Sequence, residues 1–364
     1  MKKLLKISFV LFCTFVVSNY ASAQSALLKA KDLGQQAVTL EDKGDFDGAL
    51  KLLAQARQLD PANIAYPYEM AYSLYGKKEY QHAIDTLTHL LQHRDVFARV
   101  YQLLGNSYDN MGLTIKASET YDAGLKKFPN AGELYLESAV MLMEKSDYNK
   151  ALGYCERGIS ADPTFPSNYY WASKLYCNSS ETVWGVMYGE IFMNLERNTK
   201  RTAEISKLLY DTYKKCIKVD SSGKKASVDF SKQNVINMDK AQPASKFKLP
   251  FNLAYGMPMA AAIVAQKNID LTSLNAIRTN YLAMYYNMHL DQEYPNVLFS
   301  YQNTVKNSGN LEAYNYWLLM MGDEKAFTAW RVANKPQWDK FVAWYNTNPI
   351  KIDQTNKFTS GLAN

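Results

Sequence analysis

Residues 101–129 read YQLLGNSYDNMGLTIKASETYDAGLKKFP, and the spacing of their small, aromatic and proline residues decides the fold. Tyr101, Leu104, Gly105 and Tyr108 fall at helical spacing; Ala117 and Tyr121 stand four apart, and Pro129 closes the stretch. The pattern recurs on both sides of it. Ala49, Ala83, Ala117 and Ala151 are each 34 residues apart, and four residues after each come Leu53, Leu87, Tyr121 and Cys155. Twelve residues after each alanine stand Pro61, Asp95, Pro129 and Pro163 in turn. Four alanines in strict register with three prolines specify a structural unit repeated every 34 residues.

Each residue type has a mechanical reason to be there. An alanine early in the second helix of a pair lets two backbones approach closely, and Gly105 does the same in a first helix. Leucine and tyrosine at i, i+3 and i+7 make the apolar stripe that a helical hairpin must bury on its neighbour. Proline ends the second helix because it cannot continue the hydrogen-bond ladder of the preceding turn. A single hairpin cannot bury its apolar face alone, so the units must stack. The alanine and leucine positions are therefore structural.

This pattern resembles the tetratricopeptide repeat, a pair of antiparallel helices recurring every 34 residues. The resemblance covers about residues 30–165 as four repeats, and Tyr169, Ser173 and Tyr176 begin a looser fifth. It implies an all-α fold: a tetratricopeptide-repeat α-solenoid over residues 24–219, with about four to five repeats plus a closing helix, followed by a C-terminal helical domain. It also implies that partners bind on the concave surface lined by the first helix of each pair. The outward-looking residues of those helices are Tyr68, Tyr72 and Tyr75, then Arg99, Gln102, Asn106 and Asp109. Leu136, Val140 and Met143 follow in the fourth repeat, and Tyr170 and Lys174 in the fifth. This surface is rich in aromatic and amide groups with few charges, which suits a protein or peptide partner. The competing reading packs the tyrosines against an end of the same chain. Members of the family that clamp a partner's terminal carboxylate use lysine and asparagine on the first helix of the first repeat. Here those places hold Gly34 and Val38, so binding of chaperone tails does not carry over.

The N-terminus is a different kind of sequence. Lys2, Lys3 and Lys6 precede an apolar stretch from Ile7 to Val17, and Ala21-Ser22-Ala23 follows it. That layout predicts a signal peptide over residues 1–23, cleaved after Ala23, and an exported, periplasmic chain. Spanning a bilayer takes about 20 apolar residues, so no stable membrane anchor is expected. Phe12 is bulky where lipoprotein signals carry a small residue before the cysteine, which argues against lipid attachment at Cys13. Cleavage lowers the formal net charge from +6 to +3, too weak a basic balance for a nucleic-acid partner.

Beyond the repeats, residues 198–219 read as one amphipathic helix. Ile205, Leu208, Leu209, Thr212 and Cys216 fall on one face and Lys200, Lys207, Lys214 and Lys218 on the other. From Arg197 to Lys225 nine basic residues stand against three acidic ones, a solvated face by the simpler reading and a weak contact for an anionic surface by the other. Residues 220–249, with Ser221-Ser222-Gly223, Pro243 and little apolar periodicity, read as a linker. Helical spacing returns over 250–364, either as degenerate repeats or as a separate domain. Its stripes are Leu274, Ile277, Tyr281 and Tyr285, then Tyr314, Trp317, Leu318 and Met321, then Trp338, Phe341, Val342 and Tyr345. Core packing explains these aromatics better than a sugar-stacking platform.

Three cysteines lie beyond the signal, so they cannot all pair internally: Cys155, Cys177 and Cys216. A Cys155–Cys177 disulfide competes with three buried apolar thiols, and the lack of any C-x-x-C spacing favours the thiols. His82, His89 and His93 share one helix with Asp85 nearby, but a solvated outer face explains them without a metal. No H-E-x-x-H, G-x-S-x-G, phosphate loop or paired-cysteine zinc pattern occurs, so no catalytic residue, metal or cofactor is expected. The sequence thus predicts a non-catalytic protein–protein interaction scaffold of the cell envelope. The alternative is a glycan-binding protein of the periplasm or outer membrane using exposed aromatics.

Overall fold

The computed structural model describes residues 24–220, 226–232, 249–264 and 266–363. The expected signal peptide, 1–23, lies outside the described residues, as does most of the expected linker, 220–249. The described chain is all-α apart from one short hairpin of strands, and it divides into two compact units, Met1–Pro129 and Asn130–Asn364.

The first unit is built from helical hairpins. Helix α1 (24–41) pairs with α2 (Phe46–Leu59), α3 (Ala65–Gly76) with α4 (Tyr80–Leu90), and α5 (Ala98–Asn110) with α6 (Thr114–Lys127). Ala49, Ala83 and Ala117 are completely buried, as the close-approach argument requires. Gly105 shows how tight that approach is: a Cβ there would lie 2.1 Å from Cε1 of Tyr121. The glycine of α5 and the tyrosine of α6 are therefore two halves of one fit. The turns inside the hairpins share a second regularity. Gly44, Lys78 and Gly112 adopt φ of 78°, 65° and 75°, and Ser146 of the next hairpin adopts 59°. These four positions are again 34 residues apart, and each turn needs a left-handed residue that only two of them supply as glycine.

The second unit continues with α7 (Gly132–Glu144) against α8 (Tyr148–Ala161), then α9 (Pro166–Cys177) against α10 (Thr182–Leu195) and α11 (Lys200–Cys216). Helix α10 is apolar on every side, and each residue from Thr182 to Asn194 is buried. Gly185 and Gly189 allow this: a Cβ at the first would sit 2.5 Å from Cys177 Sγ, and at the second 2.6 Å from Ser173 Oγ. Helix α11 has the predicted amphipathic character, with Ile205, Leu209, Thr212 and Cys216 inward and Lys200, Lys207 and Lys214 in solvent; Lys218, expected on the same face, lies beyond the helix and is exposed. The helix stops short of the expected end at 219. Ile217–Val219 forms strand β1, antiparallel to β2 (Ala226–Val228), with Ile217 opposite Val228. β-Branched residues at both ends of β1 favour that extended pairing.

The remaining helices are α12 (Phe251–Ala262), α13 (Leu271–Asn287), α14 (Leu290–Glu293), α15 (Val297–Asn307), α16 (Leu311–Leu318), α17 (Glu324–Ala333) and α18 (Lys335–Thr347). A tail follows and ends in one last turn, α19 (Ser360–Ala363). One continuous apolar core runs through this unit from Ala139 to Phe358. Leu274, Ile277, Tyr285, Tyr314, Leu318, Phe341 and Tyr345 are buried in it, so the aromatic stripes are core. Cys155, Cys177 and Cys216 are free and buried, and no bond joins Cys155 to Cys177. Burial pushes the Cys155 thiol up to about 12 and those of Cys177 and Cys216 up to about 11, which leaves them protonated and inert.

Candidate partner-binding surface

In the first unit the nominated residues sit on α3 and α5. Tyr72 is 43% exposed, and Arg99 is exposed as well. Tyr68 is buried edge-on against Phe97, with ring centroids 4.9 Å apart. Tyr75 is half-buried and its hydroxyl accepts from Asn110 Nδ2 at 2.9 Å. Gln102 and Asp109 are half-buried, as is Asn106, whose Oδ1 accepts from the Tyr121 hydroxyl at 2.5 Å. Asn106 therefore helps position the tyrosine that Gly105 makes room for.

In the second unit the repeat geometry opens a groove of about 840 Å³. Val140 and Met143 of α7 form one wall, Tyr148 and Leu152 of α8 a second, and Trp171, Lys174 and Leu175 of α9 a third. Tyr148 is 54% exposed. Lys174 lies 4.9 Å from the ring centroids of both Tyr170 and Trp171. Its Nζ donates to Glu204 Oε1 at 2.6 Å and to the Tyr170 hydroxyl at 3.1 Å. Burial works against the charged form of Lys174, but these bonds outweigh it and hold its pKa above the usual value. Val140, Met143 and Lys174 are thus brought together. Tyr170 is not open to the groove: it is buried, and its hydroxyl donates to Glu204 Oε2 of α11 at 2.6 Å. Tyr148 and Leu152 are groove residues that the sequence reading passes over because it takes only first-helix faces as binding surface, and Trp171 because it lies one residue off the face nominated on α9.

Two tetratricopeptide-repeat family models match the chain, over residues 40–107 and 103–166. Residues 40–166 are tetratricopeptide repeats. Among solved structures, a thermophilic tetratricopeptide protein of Thermus thermophilus is 14% identical, with 50% of this chain and 98% of that chain covered at a TM-score of 0.42. PilF of Pseudomonas aeruginosa is 16% identical, with 53% and 85% covered and a TM-score of 0.43. MamA of Desulfovibrio magneticus is 16% identical, with 47% and 97% covered and a TM-score of 0.35.

Past the tetratricopeptide repeats lies a polar cluster that the periodicity does not announce. Glu190 of α10 is 2% exposed and Arg278 of α13 is 6% exposed. Glu190 Oε1 accepts from Arg278 Nη2 at 2.7 Å, Gln302 Nε2 at 2.6 Å and the Tyr314 hydroxyl at 2.8 Å. Arg278 also donates to the Tyr213 hydroxyl at 2.8 Å and to Asn315 Oδ1 at 2.9 Å. The void beside them is about 10 Å³, and the cluster ties α10, α11, α13, α15 and α16 together. The signal was present as one carboxylate in the otherwise uncharged helix α10 and one arginine inside the Leu274–Tyr285 stripe.

The tail makes a second polar contact within the unit. Glu156 accepts from the hydroxyls of Tyr176 and Tyr188 at 2.8 Å, and the Ser360 N–H donates to Tyr188 at 2.9 Å. The C-terminal segment therefore packs on tyrosines, though not on those nominated for partner binding. His82 and His89 are exposed on α4, as a solvated face requires, but α4 ends at Leu90, so His93 does not share the helix; it is half-buried beyond it and its Nδ1 accepts from the Asp95 N–H at 3.2 Å. Among the described residues, no helix is long and apolar enough to cross a membrane.

Proposed function

We propose that the chain is a non-catalytic protein–protein interaction scaffold of the cell envelope, and that its repeats take a segment of a partner protein. The observation that carries this reading is the groove between α7, α8 and α9. Its walls of valine, methionine, tyrosine, leucine and tryptophan, rimmed by Lys174 and Asn178, suit bulky apolar side chains on a helix or extended segment. Aromatic anchors in such a pocket carry most of an interface's energy. Export to the periplasm is supported by the layout of residues 1–23.

Photo-crosslinking in the native host tests the proposal, with the probe at Tyr148 and a control at Gln81, an exposed residue of α4. A discrete protein adduct from Tyr148, absent from Gln81 and lost when Leu152→Glu places a charge in the groove, is the expected result. An adduct indifferent to Leu152→Glu, or crosslinks only within the chain, would refute it.

A further inference from the structure

Helix α11 turns a basic face outward that the groove does not use. Residues 200–218 hold six basic residues and two acidic ones, a net of +4 where the whole mature chain carries +3. The structure sorts these charges by side-chain type. Arg201 is tied to the Ser167 hydroxyl at 3.0 Å and to Glu196. Arg197, just before the helix, donates to Tyr345 O at 2.6 Å with its guanidinium over the Tyr345 ring. Lys200, Lys207, Lys214, Lys215 and Lys218 are all exposed.

The acids do not cancel this face. Glu204 is held by Lys174 of α9 at 2.6 Å, and Asp211 pairs with Lys207 at 3.0 Å. Lys200, Lys214, Lys215 and Lys218 form no ion pair among the described residues. Asp220 and Asp229 follow in the hairpin with Lys232 after them, so that end of the face keeps its positive balance.

The arrangement narrows the partner. Lys200, Lys207 and Lys214 are seven residues apart, close to two turns, so they lie along one line of the helix about 21 Å long. Ammonium groups in a line along one helix can meet a flat surface together. Lysine is a point charge on a flexible stem and suits a diffuse anionic field, whereas the arginine fork suits one fixed carboxylate or phosphate. Here the arginines are used within the fold and the lysines are left outside. No large apolar side chain is exposed on α11 among the described residues, so this face has nothing to insert into a partner.

A flat, diffuse negative field is that of a bilayer carrying anionic headgroups. We infer that α11 and the start of β1 rest on an anionic phospholipid bilayer through Lys200, Lys207, Lys214, Lys215 and Lys218, a contact of charge alone that salt reverses. It does not depend on the protein-binding groove, so its failure would leave the scaffold reading standing.

Co-sedimentation of the mature chain with lipid vesicles tests the inference. One set of vesicles is phosphatidylcholine alone, and the other has two parts phosphatidylcholine to one part phosphatidylglycerol. At about 0.01 M salt, where screening acts over about 30 Å, the chain should sediment with the phosphatidylglycerol vesicles and not with phosphatidylcholine alone; about 1 M salt should release it. Lys200→Gln, Lys207→Gln, Lys214→Gln and Lys218→Gln combined should weaken this binding by about tenfold or more. The same charge change at exposed lysines of the first unit, Lys29→Gln, Lys31→Gln, Lys126→Gln and Lys127→Gln combined, should weaken it far less. No binding to phosphatidylglycerol vesicles, binding that survives high salt, or equal loss in the two variants overturns the inference. Retention on immobilised polyglutamate without vesicle binding also overturns it, and assigns the face to an acidic protein instead.

Discussion

Replacing Glu190 with alanine removes the oxygen on which Arg278, Gln302 and Tyr314 converge at 2.6–2.8 Å. Solvent cannot take its place, because Glu190 and Arg278 are 2% and 6% exposed. Breaking a buried ion pair from one side costs about 3–5 kcal/mol, since the remaining charge stays uncompensated. Arg278 keeps Tyr213 and Asn315 as acceptors, while Gln302 loses the acceptor for its amide. Tyr314 loses one as well, although its hydroxyl still accepts from Asn194 Nδ2 at 2.7 Å. These losses overlap, and a destabilisation of about 4–5 kcal/mol is expected. Glu190→Leu combined with Arg278→Met removes both charges while keeping aliphatic volume, and should cost no more than about 2 kcal/mol. Urea unfolding followed by tryptophan fluorescence measures this cleanly. All six tryptophans lie between residues 171 and 344, so the signal comes from the second unit alone. An unchanged midpoint for Glu190→Ala, or a double variant no more stable than the single one, would refute the buried-charge argument.

Glu41, 7% exposed, accepts from the Ser73 hydroxyl at 2.6 Å. Burial pushes its carboxyl up to about 7; the Ser73 bond opposes the rise, and the charges of Glu69 and Asp42 add to it. The folded state thus holds a proton that the unfolded chain has released. The stabilisation is complete below the ordinary carboxylate range and is lost as pH rises toward about 7. Glu41→Gln should slow amide exchange in α1 and α3 by about tenfold at pH 8 and hardly at pH 5; equal exchange in both proteins at pH 8 would count against it. Ser146 holds φ of 59° in its hairpin turn, so Ser146→Gly should raise the tryptophan-detected urea midpoint by about 0.5–1 kcal/mol in stability, and no gain would mean the turn carries no strain.

The repeats were legible because a contact between helix backbones admits only small residues, and a fixed helix length repeats that contact at a fixed interval. Ala49 and Ala117 are buried in the structure for the reason the spacing implies. The hairpin turns were half legible. The left-handed conformation recurs at Gly44, Lys78, Gly112 and Ser146, but only glycine advertises it in a sequence. The strand pairing that ends α11 at Cys216 was hidden, because β1 carries on the apolar face of the helix before it. In the C-terminal region each stripe predicted a buried helix face, but not what that face would meet. Glu190 and Tyr314 are 124 positions apart, and nothing local in either segment names the other.

The groove takes a different face of α9 from the one the repeat pattern nominates, and the difference has one cause. On α9 the sequence nominates Tyr170 and Lys174, the face a first helix turns outward in an open array. Helix α11 packs beside α9, and its Glu204 takes the Tyr170 hydroxyl at 2.6 Å, so that edge of the face is closed. The open face rotates by one residue to Trp171, Lys174, Leu175 and Asn178, at i, i+3, i+4 and i+7. Its opposite wall comes from the exposed Tyr148 and the half-buried Leu152 at the start of a second helix, beside the turn made by Ser146. A helix read only as the end of the array thus decides which aromatic residue of its neighbour lines the groove. Trp171 is the aromatic side chain of α9 that α11 leaves lining the groove.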